Sequence, residues 1–234
     1  MRRILVALCL LVGSMSAAGQ VSLQFGGPGV SIGINLPVYP RLQPIPGYPV
    51  YYAPGINYNY FFYDGMYWVF EDDRWYASSW YNGPWHAVDP FYVPDFVLRV
   101  PVRYYRHAPA YFRGWRADAP PRWDQHWGSG WAQRRGDWNR WDRRSAPTAA
   151  PLPSYQRQYS GTRYPRPEQQ AQLHTDRYRY QPREEVSRQR YQEERRGVAE
   201  DLRRSPDSPN MQTIPRQPRP DRPNKSTDMP GSGG

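Results

Sequence analysis

Thiols, lysines and long apolar runs are almost absent from this chain. Cys9 is the single cysteine and Lys225 the single lysine of 234 residues. One thiol makes no internal disulfide and no cysteine-ligated zinc site. The histidines, His86, His107, His126 and His174, stand alone with neither His-x-His nor His-x-x-x-His spacing, so no metal centre is expected. Walker and dinucleotide signatures are missing too. A glycosidase needs two carboxylates held across a cleft, and nothing in the spacing of Asp64, Glu71 and Asp95 nominates a pair. Glu71-Asp72-Asp73 offers oxygens of the kind calcium takes, but no loop of alternating acids follows, so a polar turn is expected. The sequence therefore assigns no catalytic residue and no cofactor.

The one continuous apolar run is short and lies at the start. Arg2-Arg3, the run from Ile4 to Val12 and the small residues Ser16-Ala17-Ala18-Gly19 follow the order of a secretory signal peptide over residues 1–19. That run is too short for a stop-transfer helix, and no later segment could cross a bilayer, so the mature chain is expected to lack a transmembrane segment. Cys9 leaves with the leader, and Leu8 before it makes a poor lipoprotein site. Export to the periplasm or the cell surface is the expectation.

Proline (27) and glycine (19) are spread along the whole chain, so this composition can build one small core at most. The stretch Tyr58 to Val88 is the place for it. Tyr58–Tyr63 and Met66–Phe70 are runs of β-formers joined by Asp64-Gly65, a pair suited to a type I′ hairpin because both central positions need positive φ. Closing that turn pairs Tyr63 with Met66, Phe62 with Tyr67, Phe61 with Trp68 and Tyr60 with Val69. Glu71-Asp72-Asp73 turns the chain into Arg74–Tyr81, and Asn82-Gly83-Pro84 turns it into Trp85–Val88. Tyr60, Phe62, Tyr67 and Val69 then share one face, and Phe61, Tyr63, Met66, Trp68 and Phe70 the other. Neither face is polar, so both need cover. Either the chain's own Pro/Tyr segments supply it, or one face stays open as an aromatic platform formed by Tyr60, Phe62, Tyr67, Trp68, Trp75, Trp80 and Trp85.

Around this centre the sequence divides further. Residues 20–57 hold two short strands about Gly26-Gly27-Pro28-Gly29 and then an extended, polyproline-like segment from Val38 to Pro54 that is barred from a central strand. The meander domain runs over 58–116, and its last part, Phe91 to Tyr105, reads either as an edge strand or as a short helix after Pro94. In residues 117–145, Trp123, Trp127, Trp131, Trp138 and Trp141 fall within about 80 degrees of one another at about 100 degrees per residue. A helix or helix-turn-helix packing that stripe on the meander is expected, against an amphipathic surface helix seeking a membrane or partner. From 146 to 234 a disordered basic tail is expected, interrupted by a transient, solvated helix over 183–204 with i,i+4 pairs Glu184/Arg188, Arg190/Glu194 and Glu200/Arg204. The fold class is thus mainly β, an aromatic antiparallel meander with a Trp-rich helical segment and a long tail.

Charge is uneven. Residues 20–100 hold three arginines against six acids, a net −3, whereas residues 101–145 hold ten arginines against four aspartates, a net +6. Arg103, Arg106, Arg113, Arg116, Arg134, Arg135, Arg143 and Arg144 are the candidate contacts for a polyanion, since guanidinium forks suit carboxylate and phosphate. Anionic polysaccharide or lipopolysaccharide is the expected partner, and envelope proteins an alternative. Nucleic acid is disfavoured because an exported protein seldom meets it, despite the interleaved Tyr178-Arg179-Tyr180. The function expected is non-enzymatic binding or organisation of such a polymer, with a protein scaffold as the alternative and a carbohydrate hydrolase as the third.

Trp80-Tyr81-Asn82-Gly83-Pro84-Trp85 resembles the W-x-x-G-x-W repeat of exported bacterial proteins, here in one copy. The wider run from GYPVYYAP (47–54) to YFRGWRADAPPRW (111–123) is similar to a proteobacterial family with a signal peptide and a Tyr/Trp-rich body, covering about residues 20–145. That family has no established activity. The resemblance implies location and architecture, and it brings no site residue.

Overall fold

The computed structural model describes residues 33–204. The expected leader and the strands about Gly26-Gly27-Pro28-Gly29 lie outside the described residues, as does the tail from 205 to 234. Six antiparallel strands follow one another in chain order: β1 (Gln43–Pro44), β2 (Tyr51–Tyr52), β3 (Asn59–Tyr63), β4 (Met66–Glu71), β5 (Arg74–Ser78) and β6 (His86–Val88). The β3–β4 register is Tyr63–Met66, Phe62–Tyr67, Phe61–Trp68 and Tyr60–Val69, as the Asp-Gly turn requires. Asp64 and Gly65 have φ of 51° and 84°, the signature of a type I′ turn. Asp72 and Asp73, at φ 47° and 60°, close β4 onto β5 with Glu71 opposite Arg74. Aspartate tolerates this region better than most residues because its short carboxylate bonds locally.

Both sheet faces are covered. Phe61, Tyr63, Met66, Trp68, Phe70 and Trp75 form one core with residues from 91–138, including Val97, Leu98, Tyr105, Phe112, Trp123 and Trp131. Tyr60, Phe62, Tyr67, Val69 and Tyr76 form a second core with Ile34, Leu36, Tyr81, Trp85, Ala150 and Tyr178. The sheet is therefore the middle of three layers, which is why its strands read as continuous apolar runs. Each fully buried ring contributes about 2–3 kcal/mol by burial, and edge-on pairs such as Phe70–Trp123 (5.2 Å) add about 1 kcal/mol.

The segment 91–105 is helical rather than a strand. A 3-10 turn spans Pro90–Tyr92, α1 is Asp95–Leu98 after Pro94, and a second 3-10 turn is Val102–Tyr104. Pro90 opens the first turn, and Pro94 and Pro101 immediately precede the next two, so a proline stands at the start of each helical turn, where its missing N–H costs no internal bond. The Trp stripe folds as two helices, α2 (Trp123–His126) and α3 (Gly128–Arg134), broken where Gly128 takes φ 80°. It packs on the sheet: Trp123 is buried between Phe70 and Trp75, and its indole N–H donates to the Leu98 carbonyl at 3.0 Å. Val38–Pro54 is not wholly polyproline-like, since Gln43–Pro44 and Tyr51–Tyr52 extend the sheet at its edge.

The tail needs the largest correction. Order does not end at 146. Residues 146–184 cross the second face, α4 spans Pro167–Arg177, and α5 spans Glu185–Arg204. Aliphatic residues are few there, so the segment docks through tyrosines and amides instead. Trp80 Nε1 donates to the Gln170 carbonyl at 3.2 Å and Tyr81 donates to the Tyr159 carbonyl at 2.6 Å. The helix expected at 183–204 forms, but it is anchored. Glu184 accepts from the Tyr63 hydroxyl (2.8 Å) instead of pairing with Arg188, which bonds Glu185, and Ser187 is buried. Among the described residues no helix is long and apolar enough to cross a membrane.

Candidate functional site

The seven rings proposed as a platform are core. Tyr60, Phe62, Tyr67, Trp68, Trp75, Trp80 and Trp85 are each at most 3% exposed. The open-face expectation is thereby corrected, and the physical reason is the one already visible in the sequence. A sheet apolar on both sides leaves water on neither when enough chain remains to cover it. Burial raises the hydroxyl pKa of Tyr60 and Tyr67 well above the ordinary tyrosine value, so both remain donors. The W-x-x-G-x-W hexapeptide is likewise a structural joint. The Gly83 carbonyl accepts from the Tyr164 hydroxyl (2.7 Å) and Gln170 Nε2 (3.2 Å), while Asn82 Oδ1 accepts from the Leu36 amide (2.7 Å).

The arginines behave differently. Of the ten in residues 101–145, nine are exposed: 103, 106, 113, 116, 122, 134, 140, 143 and 144. They lie on the layer whose apolar side chains fill the first core. Several rest on aromatic faces, with Arg103 over Tyr104 (5.0 Å), Arg134 over Phe91 (4.7 Å) and Arg143 over Tyr48 (5.7 Å). Such stacking restrains the guanidinium while leaving its N–H groups outward. Arg135 departs from the expectation. It donates to the Phe91 carbonyl, to the Val93 carbonyl at 3.0 Å and to Asp95, so its fork is spent inside the fold. Arg99 shares Asp95 at 3.0 Å and bonds the Trp138 carbonyl, and burial lowers its pKa from the usual arginine value.

Within this layer a cleft of about 480 Å³ opens between the loop Trp115–Gln125 and the segment Gly136–Arg140. One wall is stiff. The carbonyls of Ala117 and Ala119 accept from the amides of Arg103 and Val102, each at 3.0 Å, and Pro120-Pro121 follow. The Trp115 ring stacks on Phe112 at 4.6 Å, and its backbone amide donates to the Phe112 carbonyl at 3.0 Å. Trp138 is buried against Trp131 and closes the opposite side. Three arginines line the cleft with one carboxylate, Asp124. Arg116 pairs with the exposed Asp118 and Arg140 with the exposed Asp137, each at 3.0 Å. Arg116 holds the Asp118 carboxyl below the ordinary carboxylate value. Arg122 has no side-chain partner among the described residues. Trp115 went unremarked in the sequence because nothing local separates a cleft-lining indole from a core one.

The acidic turn between β4 and β5 is a polar turn, as expected. Glu71 bonds His107 Nδ1 at 3.0 Å, and Asp73 bonds both His126 Nε2 (2.7 Å) and the Tyr111 hydroxyl (2.6 Å). Its carboxylates fasten the turn to the arginine layer. No group of three or more histidines, cysteines or acids suited to a metal ion occurs among the described residues.

Comparison of the chain with protein-family models, with characterised proteins and with solved structures gives no match.

Proposed function

We propose that this is an exported envelope protein, without catalytic activity, that binds an anionic polysaccharide or lipopolysaccharide through the arginine layer of residues 101–145. One observation carries the reading: nine of that segment's ten arginines are exposed, on a layer whose apolar side is locked onto the sheet. A fixed layer of forked cations presents carboxylate- and phosphate-binding groups at little conformational cost and draws a polyanion by its field. The leader-like residues 1–19 and the likeness of the body to exported bacterial proteins support the location. With one carboxylate in the cleft lining, paired-acid hydrolysis finds no partner there. The aromatic sheet supports the arginine layer and does not touch the polymer.

The test is retention of the full secreted chain on polygalacturonate and on lipopolysaccharide, from about 50 mM to about 500 mM NaCl. Retention is expected to fall steeply with salt. It should disappear when Arg103, Arg106, Arg113, Arg116, Arg134, Arg143 and Arg144 are exchanged together for Gln. Retention that ignores both salt and these exchanges overturns the reading.

A further inference from the structure

We infer that the cleft beside Trp115 is a subsite for a single acidic sugar, a hexuronate unit whose ring lies against the Trp115 indole and whose carboxylate meets Arg122. The inference rests on the arginine layer being the polymer-binding surface, and it names the repeat unit that surface selects.

Size is the first argument. About 480 Å³ falls within the range of small-ligand sites, roughly 300–1,000 Å³, and far exceeds what ordered water needs. Preorganisation is the second. Trp115 is held by Phe112 below it, so the indole meets a sugar face without first being ordered. Pyranose rings present C–H groups that pack on aromatic faces, and the indole N–H stays available beside them as a donor.

Charge decides the class. Of the three lining arginines, two are shared with Asp118 and Asp137, so one guanidinium, that of Arg122, is unshared. A densely phosphorylated ligand would ask for several unshared cations, whereas one fork matches one carboxylate bidentately. The rest of the lining suits hydroxyls. Gln125 and Asn139 donate and accept, and Asp124 only accepts. That mixture fits the polar remainder of a uronate and would repel a second negative charge near Asp124.

The experiment titrates the full secreted chain with trigalacturonic acid, with neutral galactotriose and with inorganic phosphate, following heat or tryptophan fluorescence. Trigalacturonic acid is expected to bind and the other two are not. Arg122→Gln, at an exposed and unpaired side chain that the fold does not use, should weaken the trimer by about tenfold or more. Trp115→Leu should weaken the trimer similarly, and Arg144→Gln, outside the cleft, should not. Trimer binding unchanged in Arg122→Gln, with the polymer still salt-sensitive, overturns the subsite and leaves the arginine layer standing. Phosphate binding as well as the trimer overturns the uronate class. Failure of polymer and trimer alike overturns the layer itself.

Discussion

Gln156 Oε1 accepts a hydrogen bond from the Tyr67 hydroxyl at 3.0 Å across 89 positions of sequence, joining the crossing segment to the middle of the sheet. The same amide accepts from the Tyr81 backbone N–H at 3.2 Å and donates to the Ser79 carbonyl at 2.9 Å and the Tyr155 hydroxyl at 3.1 Å. All four of its hydrogen-bonding positions are used, in a side chain that is fully buried. Gln156→Leu keeps the volume and strands the Tyr81 amide and the Ser79 carbonyl. The loss should be about 3 kcal/mol, read as a fall in Tm of roughly 10 °C. A variant as stable as the parent would mean that the segment does not lie on the sheet.

Gly83 sits at φ 87°, and a methyl group there would come within 2.9 Å of Trp85 Cδ1 and 3.1 Å of the Trp85 backbone nitrogen. Gly83→Ala should cost about 3 kcal/mol, from the left-handed backbone and from displacement of Trp85. Gly114 has a similar φ of 82° but open space around it, so Gly114→Ala should cost only about 1 kcal/mol. Denaturant melts of the two variants separate crowding from backbone strain.

Asp64 closes the β3–β4 turn and also holds the start of α5. Its carboxylate accepts from the Tyr180 hydroxyl (2.7 Å), the Arg183 amide (2.9 Å) and the Glu184 amide (2.8 Å). Asp64→Asn keeps the turn but replaces one acceptor with a donor, and should cost about 2 kcal/mol. Amide exchange is expected to quicken over residues 180–193 and to stay slow in β3 and β4. Faster exchange in the strands instead would show that the turn, not the latch, had failed.

His174 is buried among Tyr155, Tyr178 and Tyr191, with Nδ1 2.8 Å from the Tyr155 hydroxyl. Burial lowers its pKa from 6.5 to about 4. The unfolded chain then binds this proton first as pH falls, so stability contributed by the neutral ring is full above about 6.5 and is lost down to about 4. The loss amounts to about 3 kcal/mol. His174→Gln should flatten that part of the stability profile between pH 7 and pH 4. Glu184, whose carboxyl burial pushes up, acts in the opposite direction and remains in both proteins.

The hairpin was legible because Asp64-Gly65 permits one register, and the run on each face stated that both needed cover. The covering itself was not legible. Residues 146–184 look disordered by composition, since proline is frequent and aliphatics are scarce. They are fixed by Gln156, Tyr164 and Gln170, whose partners include backbone carbonyls and a hydroxyl far away in sequence. Hydrogen-bonding of that kind leaves no periodic trace. The Trp stripe was read on one helical wheel although Gly128 breaks it, yet the side it buries was right. Seven of the eight candidate arginines are exposed; Arg135 is not, because its partners in 91–95 come from a loop that no local rule places beside it, and Arg122 and Arg140 are exposed without having been candidates.

The claim that the arginines touch the polymer and the sheet does not is tested most directly by mapping modification with an arginine-selective dicarbonyl reagent, in the full chain with and without polygalacturonate. The account predicts that the polymer protects Arg103, Arg113, Arg116, Arg122 and Arg144, while Arg99 and Arg135 are slow to react in both conditions. Protection absent from these five, or found only on Arg157, Arg163 and Arg179, exposed beside the second core, would contradict it.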